Sequence, residues 1–82
     1  MKPRKKPLGD RNIVGARVTE AREGLGMKQV QLLARLQTAG VDISPAALSQ
    51  IEGQNRPVAD FELCALAEAL HVSIYWLLGL EE

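Results

Sequence analysis

The sequence predicts an all-α domain of five short helices packed around one core. Apolar residues recur at helical spacing in five successive segments. Start and stop signals separate those segments, the clearest being Ser44-Pro45 at a start and Gly79 at an end. No stretch sustains the period-2 alternation of a half-buried strand. With 82 residues the chain allows one domain. At that size only about 60% of the unfolded surface is buried, which argues against a deep catalytic cleft between two layers.

Residues 1–9 are charged, punctuated by Pro3 and Pro7 and closed by Gly9. They lack the apolar surface needed to order themselves and are expected to form a flexible basic arm, the domain running from residue 10 to residue 82. Val14, Val18, Ala21 and Leu25 fall at i, i+4, i+7 and i+11, one face of a first helix from about Asn12 to Glu23. Asp10 or Asn12 can cap it, and Gly24 and Gly26 offer its stop. A second helix starts near Gln29 and ends before Gly40. Its Val30, Leu32, Leu33, Ala34 and Leu36 cover the wide arc expected of a helix packed on two sides.

The third helix has Ser44 as N-cap and Pro45 at the first helical position, where the missing N–H costs nothing. Ala47, Leu48 and Ile51 face inward, and Gly53-Gln54-Asn55-Arg56-Pro57 ends it. A fourth helix follows Asp60 as its cap, with Leu63, Leu66, Ala67 and Leu70 at i, i+3, i+4 and i+7. A fifth begins after Ser73, carries Ile74, Leu77 and Leu78 on one side, and stops at Gly79.

Composition narrows the function. A single cysteine, Cys64, excludes an intrachain disulfide, and with His71 as the only histidine there is no cysteine-based zinc site. No apolar stretch approaches the roughly 20 residues that span a bilayer. The basic N-terminus has no apolar segment behind it, unlike a secretory signal, so a reduced, cytoplasmic domain is the expectation. Formal net charge is zero, yet residues 1–35 hold nine Lys/Arg against three Asp/Glu, and residues 36–82 hold Arg56 alone against seven acidic residues. Such asymmetry fits a basic face or tail directed at an anionic partner; it equally fits a solvated, tag-like N-terminus beside an ordinary domain. No Gly-rich phosphate loop, paired carboxylates with a third partner, or metal-spaced ligand set is present, so neither an enzyme nor a cofactor, metal or small-molecule site is expected.

Several strings now coincide in order and approximate spacing: Gly26-Met27-Lys28-Gln29-Val30-Gln31-Leu32-Leu33-Ala34, then Leu48-Ser49-Gln50-Ile51-Glu52-Gly53, then Leu66-Ala67-Glu68-Ala69-Leu70-His71-Val72-Ser73, then Trp76-Leu77-Leu78. Over about residues 11–80 they resemble the Cro and lambda-repressor-like helix-turn-helix family (xenobiotic-response-element type). The resemblance implies a sequence-specific, double-stranded DNA-binding regulator, a repressor acting by operator occupancy, with helices two and three forming the motif and helix three in the major groove. It places Gln29, beside Lys28, at the DNA backbone; a helix N-terminus offers phosphate its free N–H groups in any case. The outward positions of helix three are Pro45, Ala46, Ser49 and Gln50. Gln50 alone among them can bind adenine in bidentate fashion, Ser49 suits either partner, and Pro45 and Ala46 can touch thymine methyls.

The resemblance further implies an ion pair of Arg22 with Glu52 that fixes the angle of helix three. It brings Asn55 and Arg56 to a phosphate, with a local helix-capping role for Arg56 as the alternative. Lys2, Arg4, Lys5 and Lys6 could follow the backbone or enter the minor groove, or remain a solvated tail. A two-fold homodimer through helix five and Leu77-Leu78-Gly79-Leu80 is expected, with half-sites about one helical turn apart. The chain departs from the family in three places. The stretch from Gln29 to Glu52 is several residues longer around Leu36 to Ser44, so helix two runs on or the turn loops out. Lys28 stands where a capping Ser, Thr or Asn is frequent, and His71 where Gly is common.

The acidic second half, together with Pro45 and Ala46, also suits a protein-interaction module on the same fold, an antitoxin or adaptor. Cys64 reads as a small core or boundary hydrophobe, Trp76 as core, and Tyr75 as exposed, at a possible subunit contact. Glu20 and Glu23 read as surface charges near Arg17 and Arg22.

Overall fold

The computed structural model describes residues 7–81, and over them the chain is all-helical. The elements are α1 (Gly15–Gly24), α2 (Gln29–Thr38), α3 (Pro45–Glu52), α4 (Asp60–Leu70) and α5 (Ile74–Leu78). Helix α4 packs on α1, α2 and α5, and its Ala65, Leu66, Ala67, Ala69 and Leu70 line the centre of the core. Helix α3 packs on α1 and α2, sinking Leu48 and Ile51 completely. Val18, Leu32, Leu36 and Leu77 complete the fully buried set. No described helix is long and apolar enough to cross a membrane.

Helix starts follow local chemistry. Ser44 accepts from the Ala47 N–H as the expected cap of α3, and Ser73, after which α5 is expected to begin, caps it by accepting from the Trp76 N–H. Asn12 serves α1, its Oδ1 accepting from the N–H groups of Val14 and Gly15 at 3.1 and 2.9 Å. Asp60 is not a cap but the first helical residue of α4; Ala59 holds the cap position, and its N–H donates to Glu62 Oε1 at 2.9 Å. A reciprocal carboxylate three residues in can satisfy the helix entry without a capping side chain. Lys28 is handled alike, its N–H donating to Gln31 Oε1 at 2.7 Å.

All five described helices end in one device. A left-handed residue follows the last turn, its N–H bonds to the carbonyl three residues back, and the next N–H reaches five residues back. The left-handed residues are Gly26, Gly40, Gln54, His71 and Gly79. Three are the residue type that takes this conformation without strain; Gln54 and His71 are not. At α2 the device settles the lengthened connection: the helix stops at Thr38, Val41 N–H reaches Leu36 O at 2.8 Å, and buried Val41 joins the core. The extra residues are therefore a folded connection between α2 and α3, not a longer helix.

Several expected placements are corrected. Leu25, at the α1 exit, is 48% exposed, and Val30 on α2 is 66% exposed with Ala34 beside it in solvent. Helix α2 thus buries one stripe, Leu32 and Leu36 with Leu33 at its edge, because only α3 and α4 lie against it. Cys64 is exposed rather than core. Arg17 is buried instead of meeting surface glutamates; its Nη1 donates to the carbonyls of Trp76 and Glu81, and its guanidinium lies 4.7 Å from the Trp76 ring centroid. Trp76 itself is half-buried against the core. Residues 7–9, expected in the arm, lie against the α3 exit: Gln54 Nε2 donates to Pro7 O at 2.8 Å.

Helices α1 and α3 touch backbone to backbone at Gly15. A Cβ there would stand 2.1 Å from the Ile51 carbonyl oxygen and 2.9 Å from that of Glu52. Gly15→Ala is therefore expected to destabilise by about 2–4 kcal/mol, since neither carbonyl can move without moving its helix. Gly24, with nothing within 4 Å of its would-be Cβ, is the control. Gly24→Ala should raise stability by about 0.5–1 kcal/mol. Urea denaturation of both variants checks this, and equal effects would remove the close approach as a constraint.

Candidate functional site

Glu52 closes α3, is buried, and collects donors from two other helices. Arg22 of α1 grips it with Nε on Oε2 at 2.8 Å and Nη2 on Oε1 at 3.0 Å. Thr19, one turn earlier on α1, donates Oγ1 to Oε1 at 3.1 Å. Gln29, first residue of α2, donates Nε2 to the same oxygen at 3.1 Å. The remaining Arg22 donor, Nη1, holds the Met27 carbonyl at 2.8 Å and so fastens the α1–α2 turn. Hydrogen bonding to Glu52 raises the Arg22 pKa above its ordinary value despite the opposing effect of burial, with the Glu52 and Glu23 charges adding to it. The expected Arg22–Glu52 pair is present, and Thr19, unremarked in the sequence, belongs to it. Its signal was available: Thr19 and Arg22 are one turn apart on one helix face.

A second polar hub ties the same, C-terminal end of α3. Buried Asn12 donates Nδ2 to Ile51 O at 3.2 Å and to Arg56 O at 2.7 Å while its Oδ1 caps α1. All the hydrogen-bonding capacity of one amide is thus used to join α1 to the segment after α3.

With its inner side held, α3 turns Pro45, Ala46, Ser49 and Gln50 to solvent, all four exposed as expected. The Gln50 amide has no partner among the described residues. Ser49 Oγ lies 3.4 Å from Gln29 Oε1, so Gln29 spans from the buried carboxylate to the outer face. Lys28 is exposed beside it at the α2 N-terminus. Asn55 is exposed just past α3.

Arg56 is engaged within the fold, in an ion pair with Glu62 and not in the helix-end cap expected of it. Its Nη1 and Nη2 hold the Glu62 carboxylate at 3.1 and 2.9 Å, and Nη1 also meets Pro57 O at 2.8 Å. Both pKa values respond to the contact: the Glu62 hydrogen bonds raise that of Arg56, and the Arg56 guanidinium, aided by the Ala59 N–H, holds Glu62 below the ordinary carboxylate range against the effect of burial. Lys2, Arg4, Lys5 and Lys6 lie outside the described residues. Of the six described cations, Arg17, Arg22 and Arg56 are therefore committed to the protein's own groups. Arg35 reaches Ala69 O at 3.0 Å and approaches His71 Nε2 at 3.3 Å from the solvent side.

The expected dimer surface is reduced. Leu77 and Gly79 are buried and Leu78 half-buried, leaving Tyr75 and Leu80 exposed. An open cleft of about 190 Å³ lies between Arg11, Val14, Val58, Leu63 and Leu78 and has no residue of α3 in its lining. Among the described residues, no three His, Cys, Asp or Glu side chains are grouped to hold a metal ion. No protein-family model and no curated protein matches the chain.

Two outcomes follow from the ion pairs. Arg22→Ala strands a buried carboxylate and should cost about 3 kcal/mol or more. At roughly 4–8 °C per kcal/mol for a domain this size, that is a melting-temperature drop of about 12–24 °C, and Arg22→Lys should recover only part of it. A circular-dichroism melt within error of wild type would contradict the role. Because the Glu62 pKa is lowered in the fold, its contribution is present at neutral pH and fades as the pH falls through and below the ordinary carboxylate value of about 4.3. Wild type should therefore exceed Glu62→Gln in urea stability at pH 7, with the two converging in acid. A gap unchanged by pH would contradict this.

Proposed function

We propose that this chain binds double-stranded DNA sequence-specifically as a lambda-repressor-like regulator. In this reading α2 and α3 form a helix-turn-helix with an extended connection, and α3 enters the major groove. The observation that carries the reading is the exposed row Pro45, Ala46, Ser49 and Gln50 on a helix whose other side is locked by a buried ion pair. A reader of base edges needs such rigidity, because hydrogen-bond discrimination depends on fixed geometry. Lys28 and the α2 N-terminus stand beside the row and suit a phosphate. Asn55 can add a backbone contact, whereas Arg56 would first have to leave Glu62.

The protein acts by occupying an operator, as a homodimer on half-sites about one turn apart, with Tyr75 and Leu80 offered to the partner copy. Neither catalysis nor a cofactor has a part in this. With three arginines turned inward, the charge that holds DNA comes chiefly from Lys28 and the arm residues Lys2, Arg4, Lys5 and Lys6, so affinity is modest and salt-sensitive. A second reading, a protein-binding module, draws on exposed Leu25 and Val30 and on the absence of any cation from α3.

Selection from a random duplex pool separates the two. The DNA reading expects a two-fold symmetric site and a strong fall in affinity with salt. Gln50→Ala should relax one position per half-site by about 1–3 kcal/mol, and Lys28→Ala should reduce the salt slope by about one without changing the preferred sequence. No retention of duplex at low salt would refute it in favour of the protein-binding module.

A further inference from the structure

We propose that Glu52 sets the hydrogen-bonding polarity of Ser49, so that Ser49 addresses DNA as an acceptor and selects an exocyclic amine, adenine N6 or cytosine N4. This rests on the DNA reading above and specifies what α3 recognises. A serine hydroxyl has one proton and two lone pairs and, left alone, serves donor and acceptor partners equally. Here it is not alone. An ionised carboxylate offers only acceptors, so the Gln29 amide must turn its nitrogen toward Glu52, as it does at 3.1 Å. Thr19 and Arg22 donate to the same oxygen at 3.1 and 3.0 Å, leaving the carboxylate surrounded by donors. The two ends of a planar amide point apart, so fixing the nitrogen inward fixes the carbonyl outward. Gln29 Oε1 then faces Ser49 Oγ at 3.4 Å, and the only proton between those two oxygens is the serine's. With that proton directed at Gln29, exposed Ser49 presents lone pairs to the groove. Among major-groove groups these match amine donors and repel guanine O6 and N7, thymine O4 and adenine N7. The buried ion pair thereby reaches the outer face through one amide.

Every base pair carries an amine on one strand, so the selected sequence alone does not identify the contacted atom; base analogues do. The position to probe is the one that Ser49→Ala relaxes in duplex selection. Replacing its adenine by purine, or its cytosine by 2-pyrimidinone, deletes the amine. Replacing its purine by the 7-deaza form deletes the N7 acceptor. Wild type should lose a few-fold to about tenfold in affinity on losing the amine and nothing on losing N7, while Ser49→Ala should be indifferent to both. Gln29→Ala, checked for an unchanged helical signal, frees the hydroxyl proton and should broaden discrimination at this position while leaving the Gln50 position as it was. Sensitivity to N7 instead of the amine overturns the proposal. So does Gln29→Ala with discrimination unchanged, or a Ser49→Ala variant that relaxes no position. In each of those cases wild type still binds duplex and Gln50→Ala still relaxes its own position, so the DNA reading stands. Absence of duplex binding by wild type overturns both.

Discussion

One buried carboxylate organises the side of the molecule on which any partner of α3 would be met. Glu52 accepts from Arg22, Thr19 and Gln29, drawing on α1 and α2 together, and it does so at the last turn of α3. Leu48 and Ile51 alone would leave α3 free to rock, since apolar contact has no direction. A fork-on-carboxylate bond has both distance and plane. Replacing such a pair by well-packed apolar residues is often neutral or better for stability, so its contribution here is geometrical more than energetic. Gly15 works in the same sense by letting α1 meet the Ile51 carbonyl directly. Between them, the C-terminal end of α3 is fixed both by charge and by backbone contact.

The inward arginines change what the zero net charge means. Arg17 caps the C-terminal carbonyls around Trp76, Arg22 holds Glu52, and Arg56 holds Glu62. Of the acidic residues in the second half, Glu52 is neutralised by Arg22 from the basic half and Glu62 by Arg56, the one basic residue of its own half. What remains for a partner to sense is a mildly acidic folded body, six basic against nine acidic residues over 7–81, with Lys28, Arg11 and Arg35 at its surface, while residues 1–6 hold four of the ten basic residues.

Much of the fold was legible because it is local. Ser44-Pro45, Ser73 and Gly79 announce their helix ends through the nearest three or four residues, and the buried stripes of α3 and α4 follow their spacing. The failures have a shared cause as well. Leu25 and Val30 fit helical patterns, but a pattern cannot say whether a neighbouring helix arrives to cover each member, and none covers these. Arg17 and Asn12 find their partners across 59, 64, 39 and 44 residues of chain, separations at which composition carries no signal. Gln54 escaped notice because Gly53 next to it is the obvious left-handed candidate; Gly53 stays right-handed, with Asn55 Nδ2 only 2.8 Å from its would-be Cβ. Of the candidate site, the Arg22–Glu52 pair and the outward row on α3 were legible through resemblance. The bridge through Gln29 was not, since it depends on which end of an amide turns inward.

The outward row contributes almost nothing to holding the protein together. Pro45 begins α3 and Ser49 touches Gln29, but Ala46 and Gln50 have no internal duty, and the core residues of α3 are all on its other side. Stability and contact chemistry are therefore written in separate residues of one helix. Such a scaffold can be re-addressed: exchanging the side chains at 46 and 50 would alter what the helix meets while leaving its angle, its core and its melting behaviour intact. Position 49 is the exception, where a new side chain must also suit the amide behind it.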